Sequence, residues 1–307
     1  MFNLIERRRW YFLISALLIL PGIIAMIYST VTLGAPFKLS IDFTSGSLLE
    51  LRFQEPLDLQ TVRAAVSGQG FPEMTMQTVK DGRTLVIRTK PIDVATKKAI
   101  EAKLEEAFGP LEELRFESVG PTVGRETTRA AVLAILASSV ATLFFIAIAF
   151  RKVPNAFRYG VCAVSKMFHD VLFLLGAASI LGLLANWEVD SLFLTAVVTV
   201  VGFSVQDVIV VFDRIRENIG RRRGEPYETV VNRSLLETLH RSLATQLNAI
   251  FVMIAIIFFG GVTIRHFMTT MLIGMVTGTY SSLFFAVPLL VVWEQGEIGR
   301  LFRRGAK

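Results

Sequence analysis

The sequence predicts a polytopic α-helical membrane protein with six transmembrane helices and a small α+β domain between the first two. Three observations lead there. Of the 307 residues, 52% are hydrophobic and 19% charged, where soluble domains carry about 25% charged residues. The apolar residues gather into runs of roughly 20, the length a helix needs to cross a bilayer. The basic residues fall on alternate sides of those runs, as the positive-inside rule requires. The net charge of +6 therefore belongs to the membrane surface, and no nucleic-acid role is expected.

The first run, Trp10–Val31, follows Arg7, Arg8 and Arg9. Its apolar core exceeds the h-region of about 7–15 residues usual in signal peptides, and no small-x-small site ends it, so it reads as an uncleaved anchor. Residues 1–31 thus form an N-terminus and first span, and residues 32–128 a folded segment. In that segment Leu39, Ile41 and Phe43 alternate, as do Leu49, Leu51 and Phe53, at the period of a half-buried strand. Leu59, Val62 and Val66 recur at helical spacing until Gly68 and Gly70. Met74 and Met76 lead through Asp81-Gly82, a hairpin signal, into Leu85–Ile87. Ile100, Leu104 and Phe108 mark a second helix before Gly109-Pro110, and Leu114 and Phe116 a last strand. The order β-α-β-β-α-β predicts a ferredoxin-like domain. It holds no cysteine or histidine, so a binding or lever surface is expected there, with no catalysis and no metal.

Residues 129–293 carry the other five runs: Ala130–Phe150, Phe157–Leu184, Ser191–Phe212, Thr245–Gly260 and Phe267–Trp293. Arg151, Lys152 and Arg158 separate runs two and three. Arg214, Arg216, Arg221, Arg222, Arg223 and Arg233 follow run four, and Arg300, Arg303 and Arg304 sit in the basic tail, residues 294–307. Only Arg265 dissents. Both termini are expected in the cytoplasm and residues 32–128 outside. At about 225–242, Tyr227, Val231, Leu235 and Leu239 predict an amphipathic helix lying on the inner membrane surface. Cys162, the one cysteine, falls within run three and reads as a small buried residue.

The most informative residue is Asp207, an acid inside run four beside Ser204 and Gln206. Hydrocarbon does not solvate a carboxylate, so such a group marks an ion or proton pathway by default. Arg241 stands just before run five, followed by Thr245, Gln246 and Asn248, and its stem is long enough to snorkel toward Asp207. A structural ion pair between the two spans is the competing reading. Lys166, His169 and Asp170 form a second polar site in run three. Lys166 and Asp170 are four apart and share a helix face, which favours a structural pair, while His169 reads as a packing or relay residue. Gly202, Gly260, Gly261, Gly274 and Gly278 are expected at close helix contacts, the last two as a small-xxx-small pair.

Several segments resemble the SecD/SecF family of bacterial protein-export proteins, on its SecF side. They include Ile41-Asp42-Phe43-Thr44-Ser45-Gly46, Val119-Gly120-Pro121-Thr122-Val123-Gly124 and His169-Asp170-Val171-Leu172. Further matches are Gly202-Phe203-Ser204-Val205-Gln206-Asp207, the stretch Val210 to Asn218, Phe258-Phe259-Gly260-Gly261 and Gly278-Thr279-Tyr280-Ser281-Ser282. Gln206 stands where the family pattern has asparagine, Ser45 where it has glycine, and Lys166 where an apolar residue is expected. The resemblance implies a subunit of resistance-nodulation-division type that pairs with SecD and associates with the SecYEG channel, with YajC and, indirectly, SecA. It implies use of the proton motive force to draw an unfolded preprotein across the bacterial inner membrane. Asp207 would be the proton carrier and Arg241 its gate, with protons as the coupling ion and no cofactor. A small-molecule proton antiporter half and a non-transporting translocon scaffold are the alternatives. With no Walker loop, nucleophile–base pair or metal cluster in the sequence, no enzyme is expected.

Overall fold

The computed structural model describes residues 3–66, 74–79, 82–150, 155–222 and 224–296. The expected stops at Gly68 and Gly70, the turn residue Asp81 and the basic residues Arg151, Lys152, Arg223, Arg300, Arg303 and Arg304 lie outside them. The chain divides into two compact units, Leu39–Ala131 and the remainder.

After a 3₁₀ turn at Ile5–Arg7, helix α1 spans Arg8–Leu33, ending at Gly34 in the left-handed region. A short helix α2, Ile41–Thr44, follows. Of the expected strand at Leu39, Ile41 and Phe43, Leu39 lies in a β-bridge while Ile41 and Phe43 turn helical. Ser40 caps the segment by accepting a hydrogen bond from the Asp42 N–H at 3.2 Å, and that local bond draws the chain into a helical turn. Then come β1 (Gly46–Phe53), α3 (Leu59–Val66), β2 (Met74–Thr78), β3 (Thr84–Thr89), α4 (Val94–Phe108) and β4 (Leu111–Val119). The four strands make one antiparallel sheet in the order β2-β3-β1-β4. Leu49, Leu51 and Phe53 of β1 point with Met76, Leu85 and Ile87 into a core closed by Val62, Ile100 and Leu104. Asp93 caps α4 by accepting from the Thr96 N–H at 2.9 Å, and hydrogen bonds to Thr96 hold its carboxyl below the usual range.

Ser45 and Gly46 enter β1 with φ of +62° and +133°. The Ser45 conformation (ψ 160°) is one that glycine adopts freely and other residues only under strain. A Cβ on Gly46 would lie 2.7 Å from the Thr89 carbonyl oxygen. A glycine pair is what the backbone favours here, and this chain bears a serine at its first position.

The helical unit continues with α5 (Pro121–Ala149), α6 (Ala156–Ala185), α7 (Ser191–Arg221), α8 (Tyr227–Phe259), α9 (Val262–Ser281), a π-helical turn (Ser282–Ala286) and α10 (Val287–Glu294). Among the described residues six helical segments are long and apolar enough to cross a membrane. The protein is therefore an integral membrane protein, mostly helical, with one small sheet. The helices overrun the apolar runs for local reasons. α5 starts at Pro121, which suits a first turn because its missing N–H has no helical partner there. α7 continues through its charged end because Arg216–Asp213, Arg214–Glu217 and Arg221–Glu217 pair at helical spacing. Pro288 has no N–H to give, and a proline ring crowds the carbonyl four residues back; the helix widens into the π turn just before it.

The expected amphipathic helix at about 225–242 is not a separate element. It is the first half of α8, and Val231 and Leu235 are buried against Val211, Phe212 and Ile215 of α7. Its apolar stripe covers protein, not lipid. The glycine expectations divide. A Cβ on Gly274 would meet Val200 at 2.5 Å and one on Gly278 would meet Ser204 at 3.5 Å, so this pair does seat α9 on α7. Gly202 is exposed with nothing within 4 Å. Gly260 and Gly261 form the extended link between α8 and α9, because both leave helical ψ there. Arg265 donates from Nε to the Ile257 carbonyl at 3.1 Å, tying α9 to the end of α8.

A close approach that sequence reading missed joins α1 to α6. A Cβ on Gly22 would lie 2.6 Å from the Gly176 Cα, and one on Gly176 would lie 2.7 Å from the Gly22 Cα. On the same seam the buried Ser29 and Ser179 hydroxyls meet at 3.2 Å.

Candidate functional site

Every third or fourth residue of α7 is buried: Val197, Val200, Val201, Ser204, Asp207, Val208, Val211 and Ile215 among them. Asp207 falls on this apolar stripe, and the helix periodicity that packs the valines carries the carboxyl into the bundle with them. It retains 7% of its surface. Toward the C-terminus of α7 the stripe enters an apolar cluster of Val208, Val211, Phe212, Ile215, Leu283 and Val287. Toward the N-terminus it meets a polar layer. Asp207 stands at the junction.

One side of Asp207 opens on a cavity of about 200 Å³ between α7 and α8, lined also by Gln206, Arg241, Ser242, Thr245, Gln246 and, from α9, Met275. Asp207 Oδ2, Ser242 Oγ and Gln246 Oε1 are all buried there without a protein partner. Buried polar atoms nearly always find partners, and a polar cavity of this size has room for several waters. Arg241 lies on the same wall but is exposed and makes no ion pair with Asp207 within 4.0 Å. The expected pair shares a cavity and does not touch. Gln206 is exposed at the mouth; Asn248 is exposed and takes no part in the lining.

On the other side lies the second expected cluster, completely interior. Lys166 has no exposed surface and Asp170 has 1%. The Lys166 ammonium sits 3.0 Å from Asp170 Oδ2 and donates to the Ser204 carbonyl at 2.8 Å and to the Ser204 hydroxyl. That hydroxyl donates in turn to Asp170 Oδ2. Asp170 Oδ1 meets His169 Nδ1 at 3.1 Å, and the buried Ser281 hydroxyl donates to the Gly278 carbonyl at 3.1 Å. The His169 ring lies 4.6 Å from that of Phe285, and its Nε2 is buried without a protein partner. Ser204 therefore belongs to this cluster by its bonds, while standing one helical turn from Asp207 on α7. Ser242 went unremarked as a site residue, since serine in a membrane helix is too common to signal on its own. No group of three or more metal-ligating side chains occurs among the described residues.

Residues 99–296 match the family described as "Protein export membrane protein SecD/SecF, C-terminal", and residues 31–57 match "SecD/SecF GG Motif", the stretch that holds Ser45-Gly46. Curated proteins named "Protein translocase subunit SecF" from Thermobaculum terrenum and Anaerolinea thermophila are each 44% identical. They cover 99% and 100% of this chain and 98% and 99% of their own. Among solved structures, SecDF from Thermus thermophilus, described as a translocon-associated membrane protein, aligns with TM-score 0.78 and 32% identity over 96% of this chain. A SecDF structure in a super-membrane-facing form aligns with TM-score 0.66 and 30% identity over 99%. The chain spans 39% and 40% of those two SecDF chains.

Proposed function

Because the chain belongs to the SecD/SecF family of protein-export membrane proteins, among its SecF members, we propose that it is the SecF-type half of a proton-driven export motor. It pairs with a SecD-type chain in the bacterial inner membrane and couples proton movement at Asp207 to late translocation of an unfolded preprotein. The observation that carries this is the buried, partly unpaired Asp207 carboxyl facing a polar cavity shared with Arg241. A carboxylate so placed binds a proton when the cavity is wet from one side and releases it when Arg241 approaches or water enters from the other. The apolar cluster that follows Asp207 along α7 keeps the two routes from being open together.

Pairing has its own support. Gln206, Arg241, Thr245 and Asn248 are exposed on spans α7 and α8, and polar or charged side chains are costly against lipid. A second helical bundle covering them meets that requirement. In this reading the sheet domain, ferredoxin-like in strand order, stands outside the membrane with both termini in the cytoplasm. It is the lever for the preprotein near the SecYEG channel, with YajC and SecA as neighbours in the assembly. Moving one charge through 100 mV supplies about 2.3 kcal/mol. Shifting a two-state domain from 1:99 to 99:1 needs about 5.5 kcal/mol. More than one proton per cycle follows at that voltage.

Reconstitution in proteoliposomes tests the partnership. Proton flux and potential-driven export are expected only when this chain and a SecD-type chain are present together. Proton-coupled export of a small molecule by this chain alone would favour the antiporter reading instead.

A further inference from the structure

We propose that Lys166 is the fixed counter-cation of the proton site, shared between Asp170 and Asp207 across the α6–α7 contact. The inference rests on Asp207 being the proton carrier and adds a positioning residue to it. Three features lead to Lys166. It is among the largest fully buried side chains of the protein, and burying an ammonium in a helical bundle is costly unless it is paired and hydrogen-bonded. An apolar side chain would fill this interior position without needing a partner, so packing alone does not call for the ammonium. Its contacts reach beyond Asp170: two of its hydrogen bonds go to Ser204 of α7, one helical turn before Asp207. Ser204 and Asp207 lie on one buried stripe of α7, so the ammonium faces the side of the helix that bears Asp207.

The charged and titratable groups around this point are few. α6 gives Lys166, His169 and Asp170, α7 gives Asp207, and α8 gives Arg241 at the cavity wall. Where α9 meets Asp170 it presents Gly278 and Ser281, and the neighbouring Tyr280 turns to α1, donating to the Tyr11 carbonyl at 2.8 Å. Among the described residues the interior thus holds one lysine cation and two carboxylates. With Asp207 protonated, Lys166 and Asp170 neutralise each other. When Asp207 releases its proton, Lys166 is the interior charge that opposes the new anion, and Ser204, bonded to both Lys166 and Asp170, holds that pair against the helix that carries Asp207. Lys166 does not carry the coupling proton. It fixes how readily Asp207 gives its proton up, and Asp170 competes for its charge.

Two substitutions with opposite consequences test this in the reconstituted complex, read as the pH at which proton flux is half-maximal. Lys166→Met removes the cation and is expected to move that pH upward. Asp170→Asn frees the cation for Asp207 and is expected to move it downward. Each shift should be about one pH unit, the lower end of what a charge within ~4–6 Å does. A structural pair that only glues α6 to α7 would lower stability in both variants without moving the profile in opposite directions. Shifts of the same sign, or none, in variants that co-purify with the partner would overturn the proposal. Should Lys166→Met fail to assemble because Asp170 is left unpaired, Asp170→Asn alone decides, and an unmoved or raised midpoint refutes it. Asp207→Asn separates the two levels. Flux surviving in that variant refutes Asp207 as carrier, whereas flux lost there with unmoved profiles at Lys166 and Asp170 refutes only the counter-cation.

Discussion

Asp207→Asn is expected to reduce proton flux and potential-driven export to the level of empty liposomes while the complex with its partner still assembles. The reasoning is geometric before it is electrostatic. The asparagine side chain has the shape of the carboxylate it replaces and remains polar, so it can occupy the same place beside Ser242 and Gln246, whose oxygens are unpaired in the cavity. An amide N–H offers those oxygens a donor, so folding should not suffer. What the amide lacks is a site that can take up and release a proton. If Asp207 served as an ion-pair glue to Arg241, the same substitution would weaken α7–α8 packing and lower stability. The structure disfavours that outcome, because the two side chains form no ion pair. Thermal stability and co-purification of the variant, measured beside flux, separate the scaffold reading from the motor reading.

Gly176→Leu is expected to undock α1 from α6. At the Gly22–Gly176 crossing even a single Cβ on either residue would fall under 3 Å from the other's backbone, and backbone atoms have no rotamer through which to yield. Overpacking of a tight interior costs about 1–3 kcal/mol where side chains can adjust, and here the helices themselves must separate. α1 is poorly placed to absorb that, since only 17% of its most apolar stretch is buried within the chain. The Ser29–Ser179 contact on the same seam provides the measurement. With both serines replaced by cysteine, the wild-type background should crosslink readily and the Gly176→Leu background should not. Cys162 is buried elsewhere and leaves the new pair as the reporter.

These two predictions differ in how much of their basis was legible in the sequence. Asp207 announced itself, because an acid within an apolar run has few structural explanations, and the helix period alone carries it into the bundle. The six spans were legible for the same reason: a bilayer demands length and hydropathy, and both are one-dimensional properties. The Gly22–Gly176 crossing was invisible, since it pairs glycines from two distant helices and neither stands in a repeated small-residue pattern like Gly274 and Gly278. Gly202 shows the converse failure. It looks like a packing glycine, yet no neighbour comes near it within the chain. The cytoplasmic-looking amphipathic stretch from Tyr227 carried a correct apolar face but hid what that face covers, because periodicity gives a stripe and not its partner. The link through Ser204 was equally hidden: Lys166 and Asp170 declare their pairing by spacing, but the hydroxyl that bonds both of them comes from another helix, the one that carries Asp207. Leu39, Ile41 and Phe43 alternate as a strand would; Leu39 stays in a β-bridge, and after it the Ser40 cap starts a helical turn that takes in Ile41 and Phe43.

The central claim is that one interior carboxyl takes up and releases protons within the working cycle. Infrared titration of the reconstituted complex in the carboxyl-stretching region, with Asp207→Asn subtracted, isolates that group. The account predicts a protonated-carboxyl band that comes and goes as pH is changed and is absent from the variant. Identical spectra from the two proteins at every pH would contradict it.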